Sequence, residues 1–193
     1  MSLSKQLPIF PLTSQVLPEG RMKLRIFEPR YIRLVKDSLQ NDAEFVIAMF
    51  DNDKSPSEDD YIRPYGTSVK IIDFEPRNDG LLGITVEGQN RVRILGHWLE
   101  SDNLRVGNVE YLPPWPQAEL PETCKNLMEK LQEAYETYPE LSELLPSLNY
   151  ERLDWLCSRW LEILPLDTDT KQTLIKEESC LKTQEYLLDL MGK

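Results

Sequence analysis

Apolar and polar residues alternate along much of the first half of the chain, a pattern typical of strands with one buried face. The clearest case is residues 79–95, DGLLGITVEGQNRVRIL, where two period-2 runs flank the polar segment Gly88–Asn90. Glycine and asparagine tolerate the positive φ of tight turns, so this stretch predicts a central hairpin that reverses there. A second turn signal, Asp79–Gly80, leads into the hairpin from the preceding strand.

The same reasoning predicts further strands on both sides of the hairpin. They are LPIFPL at 7–12, RMKLRIF at 21–27, EFVIAMF at 44–50, GTSVKIIDF at 66–74 and a last strand at 104–112 after a polar turn at 100–103. Between the second and third, apolar residues recur at helical spacing from Pro29 to about Asn41, which predicts one helix. Residues 51–64 are acidic and almost free of apolar side chains, so we predict a mobile loop there.

The pattern changes after Pro113–Pro116, where three prolines in four residues favour a stiff extended segment. Beyond it, apolar residues recur only at helical spacing, in four stretches, and Asp167 is placed to cap the third of these helices. The sequence therefore predicts an α+β protein. A largely antiparallel barrel or sandwich with one helix occupies residues 1–112, a proline-rich linker 113–118, and a helical bundle 119–193.

The net charge of the chain argues against some classes of function. The chain of 193 residues has a net charge of −11, and residues 118–193 carry 8 Lys and Arg against 16 Asp and Glu. Such an acidic balance argues against binding to duplex nucleic acid, whose phosphates require cations. No stretch has the apolar length of a signal peptide or a membrane span, so we expect a cytoplasmic protein with no membrane partner. The cysteines, Cys124, Cys157 and Cys180, lie far apart and fit buried free thiols.

Candidate catalytic groups are few. His97 is the only histidine and has no cysteine or second histidine at metal-ligand spacing, so we expect a structural role for it and no metal site. No G-x-S-x-G motif and no G-x-x-x-x-G-K-[ST] phosphate loop occurs, and acid pairs such as Asp59–Asp60 fit solvated surface charge. We expect no catalytic residues, no cofactor and no enzyme activity.

The sequence does contain candidate binding residues. Arg21, Lys23 and Arg25 share the polar face of one predicted strand, and Arg91 and Arg93 lie on another. This basic stripe is either a solvated face paired with nearby acids or a contact surface for acidic peptides or RNA.

Aromatic residues near the basic stripe are also candidates for binding. RNA recognition would need exposed aromatics, but Phe27 and Tyr31 fit core positions. Trp98 and Trp115 lie at element ends, where tryptophan either packs at a seam or forms part of a binding surface.

Several segments, taken together in their order, resemble the N-terminal domain of ATP-dependent Lon proteases. These are LPIFPL, VLPEGRMKLRIFEPRYIRLV, GTSVKIIDF and LLGITVEGQNRVRIL, followed by LPLDTDTKQTLI, which resembles the helical end of that domain. The resemblance implies a PUA-like β-barrel with an appended helical bundle, and a role in substrate recognition and hexamer assembly. Because the phosphate loop and the Ser–Lys protease domain are missing from the sequence, it resembles a free-standing recognition domain.

Three functions are therefore considered. The first is a non-catalytic module that binds peptides, unfolded protein segments or a partner protein, with clients related to proteolysis. Its predicted contact residues are Trp98 and Trp115, with Arg21 and Arg25 steering acidic segments. The alternatives are RNA binding through a PUA-like barrel and a hydrolase of unrecognised type.

Overall fold

A computed structural model gives the fold and describes residues 4–76 and 81–191. The chain is mixed α+β and dominated by its sheet. It divides into two compact units, an N-terminal unit up to Leu112 and a C-terminal unit from Pro113 onward. The turn predicted at Asp79–Gly80 lies outside the described residues.

The N-terminal unit contains six strands and one helix within the described residues. They are β1 (Lys5–Leu12), β2 (Arg21–Ile26), α1 (Pro29–Asn41), β3 (Phe45–Phe50), β4 (Ile62–Pro76), β5 (Leu82–Leu99) and β6 (Arg105–Tyr111). Helix α1 begins with Pro29 in its first turn and ends at Asp42, whose left-handed backbone lets its N–H bond the Ser38 carbonyl. The single helix and the last strand are confirmed, while β4 begins four residues earlier than predicted.

Strand pairing closes the sheet on itself. The order is β2-β5-β4-β3-β1-β6, and an additional pairing joins β5 to β6. Strand β1 runs parallel to β3, and the other pairs are antiparallel, in line with the largely antiparallel expectation. A ring of five strands results, with β2 attached to the first part of β5.

Two apolar clusters form the core of this unit, one on each face of the central strands. In β3, Phe45 and Ile47 join the cluster that includes α1, while Val46 and Ala48 point into the other cluster. Strands buried on both faces read as continuous apolar runs, which explains why EFVIAMF shows no alternation.

The predicted hairpin at Gly88–Asn90 is wrong, because β5 continues through these residues as one strand. Gly88 instead lies against the backbone of the segment between β1 and β2. A Cβ atom there would lie 2.1 Å from the Leu17 carbonyl oxygen, and the Gly88 N–H donates to the Gly20 carbonyl at 2.9 Å. The glycine therefore permits a close approach of two backbones rather than a chain reversal.

The C-terminal unit is helical, as predicted. Its helices are α2 (Lys125–Thr137), α3 (Leu153–Ile163), α4 (Thr168–Ile175) and α5 (Leu181–Met191). Asp167 caps α4 by accepting a hydrogen bond from the Thr170 N–H at 2.8 Å, which confirms the predicted cap. Helix α3 is buried along its first nine residues, Leu153–Leu161, and forms the centre of this unit.

Candidate functional site

A groove of about 380 Å³ lies in the N-terminal unit, beside the connection between β2 and α1. Its lining comes from the ends of β1, β2 and β3, the start of α1, the acidic loop before β4, and the first residue of β6. The side chains that line it are mainly aromatic or cationic. We call it the aromatic groove, and its aromatic members are Phe10, Phe27, Tyr31, Phe50 and Tyr61.

Two aromatic pairs and one exposed ring line the groove. Phe10 and Tyr31 have ring centroids 4.2 Å apart, and Phe50 stacks on Tyr61 at 5.1 Å. Phe27 stands apart from both pairs with 64% of its surface exposed. The expectation that Phe27 belongs to the core is therefore wrong, whereas Tyr31 is buried as expected. An exposed phenylalanine beside an apolar groove is a typical protein-contact residue.

Arg105 connects the groove to the acidic loop. Its Nη2 donates to the Pro56 carbonyl at 2.6 Å, and its Nη1 donates to His97 Nδ1 at 2.9 Å. The guanidinium also lies 5.4 Å from the centre of the Tyr61 ring. Only 6% of Arg105 is exposed, and this burial lowers the pKa of its guanidinium.

His97 is fixed as a neutral acceptor by this contact. An arginine can only donate, so Nδ1 must carry the lone pair and the ring proton must sit on Nε2. Burial, and then the charge of Arg105, lower the pKa of His97, while the Asp59 backbone acts in the opposite direction. The single histidine is thus held in place by its hydrogen bond with Arg105.

Three more cations line the groove: Lys23, Arg25 and Arg30. Glu28 is the one carboxylate among the described lining residues, and it pairs with Arg30 at 2.7 Å. Arg30 also donates to the Asn103 carbonyl at 3.0 Å and lies 4.8 Å from the Tyr31 ring centre. The lining therefore contains four cations and one carboxylate within a protein of net charge −11.

The three predicted contact residues of the N-terminal unit do not line one groove. Arg25 lines the aromatic groove, but Arg21 does not, and Arg21 forms an ion pair with Glu87 at 2.7 Å. Trp98 is 39% exposed near the end of β5 and is not among the groove residues. Trp115, in the C-terminal unit, is only 7% exposed, and its indole N–H donates to the Glu177 carbonyl at 2.8 Å.

The sequence contained a usable signal for one of the missed residues. Phe27 follows Lys23 and Arg25 at every second position, so simple alternation places it on their outer face. Arg105 and Tyr61 gave no such signal. They line the groove because the loop before β4 packs against the start of β6. A contact between segments so distant in sequence leaves no local sequence pattern.

Three further features of residues 4–76 and 81–191 concern metal ligands, thiols and membrane-spanning helices. Within it, no group of three or more His, Cys, Asp or Glu side chains is placed to hold a metal ion. All three cysteines are free and buried, as expected, and contact with Cys180 together with burial raises the pKa of the Cys157 thiol. No helix of residues 4–76 and 81–191 has the length and apolar content for crossing a membrane.

The N-terminal unit is thus a sheet-dominated α+β unit with an open aromatic groove. Residues 6–193 match the ATP-dependent protease La (LON) substrate-binding domain, and the chain belongs to this family. In the proteases of this family the ATPase and protease activities lie in other domains.

Solved structures agree with this assignment. The Lon N-terminal domain protein from Xanthomonas campestris is 28% identical with a TM-score of 0.78, and the match covers 97% of this chain and 99% of that one. The N-terminal domain of Mycobacterium avium complex Lon protease has the same fold, with 19% identity and a TM-score of 0.64 over 98% and 99% of the two chains.

Proposed function

We propose that this protein binds flexible or unfolded segments of client proteins in the aromatic groove. The family description, a substrate-binding domain, supports a role in recognition. The observation that carries the proposal is Phe27, a large apolar side chain held in solvent at the edge of a groove lined by other aromatics. Burying such a ring against a client would remove apolar surface from water on both partners.

The residues predicted from sequence have secondary places in this proposal. Arg25, inside the groove, would speed the encounter with acidic clients, whereas Arg21, on the same strand, is paired with Glu87 and adds little net charge. Trp98 lies close in sequence to two other exposed apolar residues of β5, Leu95 and Leu99, and would extend the contact for longer clients. We interpret the closed ring of five strands as the PUA-like barrel that carries these residues.

RNA binding is the second candidate function. The exposure of Phe27 beside four cationic groove residues favours it, because single-stranded RNA is bound through stacking on aromatics and contact with cations. The acidic balance of the whole chain opposes it. Copurified nucleic acid, seen as a raised ratio of absorbance at 260 to 280 nm, would favour RNA over peptide.

A pair of matched substitutions tests the peptide proposal. Phe27→Ser should weaken binding of a fluorescein-labelled, reduced and carboxymethylated α-lactalbumin by about 30-fold, the effect of losing a contact worth about 2 kcal/mol. Phe74→Ser is the control, since Phe74 is 57% exposed in the same unit but does not line the groove. Fluorescence anisotropy gives both dissociation constants, and thermal melting verifies that both variants remain folded. Equal weakening by the two substitutions, or none by either, would contradict the proposal.

A further inference from the structure

Arg105 is a buried cation whose partners are all neutral. Its guanidinium contacts a carbonyl oxygen, an imidazole nitrogen and a tyrosine ring, and within the described residues no carboxylate forms an ion pair with it. A guanidinium has five N–H donors, and these two hydrogen bonds leave three with no acceptor among the described residues. Burying a charge without an opposite charge costs free energy, so an anion bound from the groove would stabilise this guanidinium.

The other charged side chains that line the groove also favour an anionic occupant. Lys23, Arg25 and Arg30 line the same groove, and the one carboxylate among the described lining residues, Glu28, is paired with Arg30. Within the lining, cations therefore outnumber carboxylates four to one next to the exposed Phe27 ring, while the whole protein is strongly acidic. An occupant that complements both properties carries a carboxylate beside a large apolar group.

We propose that the aromatic groove selects client segments in which an Asp or Glu side chain neighbours a large apolar residue. The carboxylate binds the free N–H groups of Arg105, and the apolar side chain packs against Phe27. This inference rests on the proposed function and adds the class of segment that is recognised. Charge-assisted hydrogen bonds in a partly desolvated groove are stronger than neutral ones, so they provide selectivity among apolar segments.

The shape of the surface favours an internal acidic residue over the carboxylate of a chain terminus. A second depression of about 650 Å³ adjoins the groove and shares Arg105, Arg30, Glu28 and Pro56 with it. The surface is therefore open on both sides of Arg105. A client chain can pass along it in both directions, whereas capture of a terminus requires a site that is closed at one end.

The test uses three fluorescein-labelled peptides that differ only in the acidic group. The first is amidated and alternates Leu and Phe with Asp, the second has Asn in place of every Asp, and the third is the Asn peptide with a free C-terminal carboxylate. The Asp peptide should bind at least about tenfold more tightly than both others, since loss of a charge-assisted bond is worth about 1.4 kcal/mol or more. Added salt should reduce this preference by screening the charges.

A substitution then locates the preference. Arg105→Met should bring the Asp and Asn peptides to nearly equal affinity, while Arg63→Met should leave the tenfold difference in place. Arg63 is the matched control because it is a partly buried arginine of the same unit, paired with Asp51 outside the groove. If Arg105→Met does not fold, Arg30→Met provides the same comparison, with a smaller loss of preference expected.

Several results would overturn the inference, and they are distinct from failure of the proposed function. Equal binding of the Asp and Asn peptides to the unmodified protein would overturn the acidic preference, yet the groove would still be the site if Phe27→Ser weakens both. Equal binding of the Asp peptide and the free-carboxylate peptide would assign the site to chain termini. Displacement of the Asp peptide by an RNA oligonucleotide at lower concentration than by unlabelled Asp peptide would assign the groove to RNA.

Discussion

At the scale of single residues, Arg105 and His97 form a pair in which each determines the state of the other. The arginine can only donate, so the imidazole must be neutral with its proton on Nε2. The same bond directs the guanidinium toward the groove and toward the Pro56 carbonyl of the acidic loop. Protonation of His97 would replace this hydrogen bond with repulsion between two cations and would loosen the groove.

This pair predicts a dependence of stability on pH. Because the pKa of His97 is lower in the folded protein than its ordinary value of 6.5, the unfolded chain binds a proton more readily. The contribution of neutral His97 to the free energy of unfolding is therefore fully present above pH 6.5, and it is lost as the pH drops below that value. Urea unfolding should give a lower midpoint at about pH 5.5 than at about pH 7.5, and His97→Gln should reduce this difference. An unchanged difference in His97→Gln would show that other groups cause the effect.

Residues of the site differ in how far the sequence could predict them. The burial of Tyr31 and Cys157 agrees with the helical periodicity of their segments, because periodicity reports burial directly. The error at Phe27 came from treating aromatic character as evidence of burial against the alternation of its own strand. Arg105 could not be predicted, since its burial depends on a loop 49 residues earlier in the chain.

At the scale of elements, β5 organises the N-terminal unit by changing its partner along its length. Its first part, Leu82–Glu87, pairs with β2, and its last part, from Val92 onward, pairs with β6. The change occurs around Gly88, where the chain between β1 and β2 crosses close to the strand. The alternation of apolar and polar residues on both sides of Gly88 predicted strands, and the structure has a strand there. The sequence does not distinguish a glycine that lets two backbones approach closely from a glycine that forms a turn.

Two glycines of β5 provide a direct test of this interpretation. Gly88→Ala should destabilise the protein by about 2 kcal/mol or more, because the new Cβ would overlap the Leu17 carbonyl and force the backbones apart. The midpoint of thermal unfolding should fall by roughly 5 °C or more. Gly96→Ala is the control on the same strand, since nothing lies within 4 Å of its Cβ position. Similar effects of both substitutions would indicate a general intolerance of β5 to alanine.

At the scale of the whole molecule, the two units differ in charge and in how their cores are built. Residues 118–193 account for a net charge of −8 of the total −11, so the aromatic groove lies in the less acidic unit. The C-terminal unit has its own apolar core around α3, with Leu156, Cys157 and Leu161 fully buried. We therefore expect each unit to have the internal packing that an autonomous domain requires.

The proline-rich segment makes defined contacts within the C-terminal unit. Trp115 is buried and bonded to Glu177, and the Ala118 carbonyl accepts a hydrogen bond from the Leu153 N–H at 2.9 Å. The prolines suggested an extended linker because they exclude regular structure, but they carry no information on whether an extended segment packs against a neighbour. Burial of one tryptophan is expected to contribute about 2–3 kcal/mol.

Two fragments of the C-terminal unit test both its autonomy and the part played by this segment. Residues 113–193 should give a helical circular dichroism spectrum and a cooperative thermal transition, because the core around α3 is retained. Residues 119–193, which lack Trp115, should melt roughly 10 °C lower, since a loss of about 2 kcal/mol has a large effect on a domain of this size. Adding Trp115→Ala to the longer fragment should reproduce most of that decrease, which would assign it to the indole rather than to chain length. A longer fragment without a cooperative transition would mean that the unit does not fold alone, and equal melting of the two fragments would mean that residues 113–118 act only as a connection.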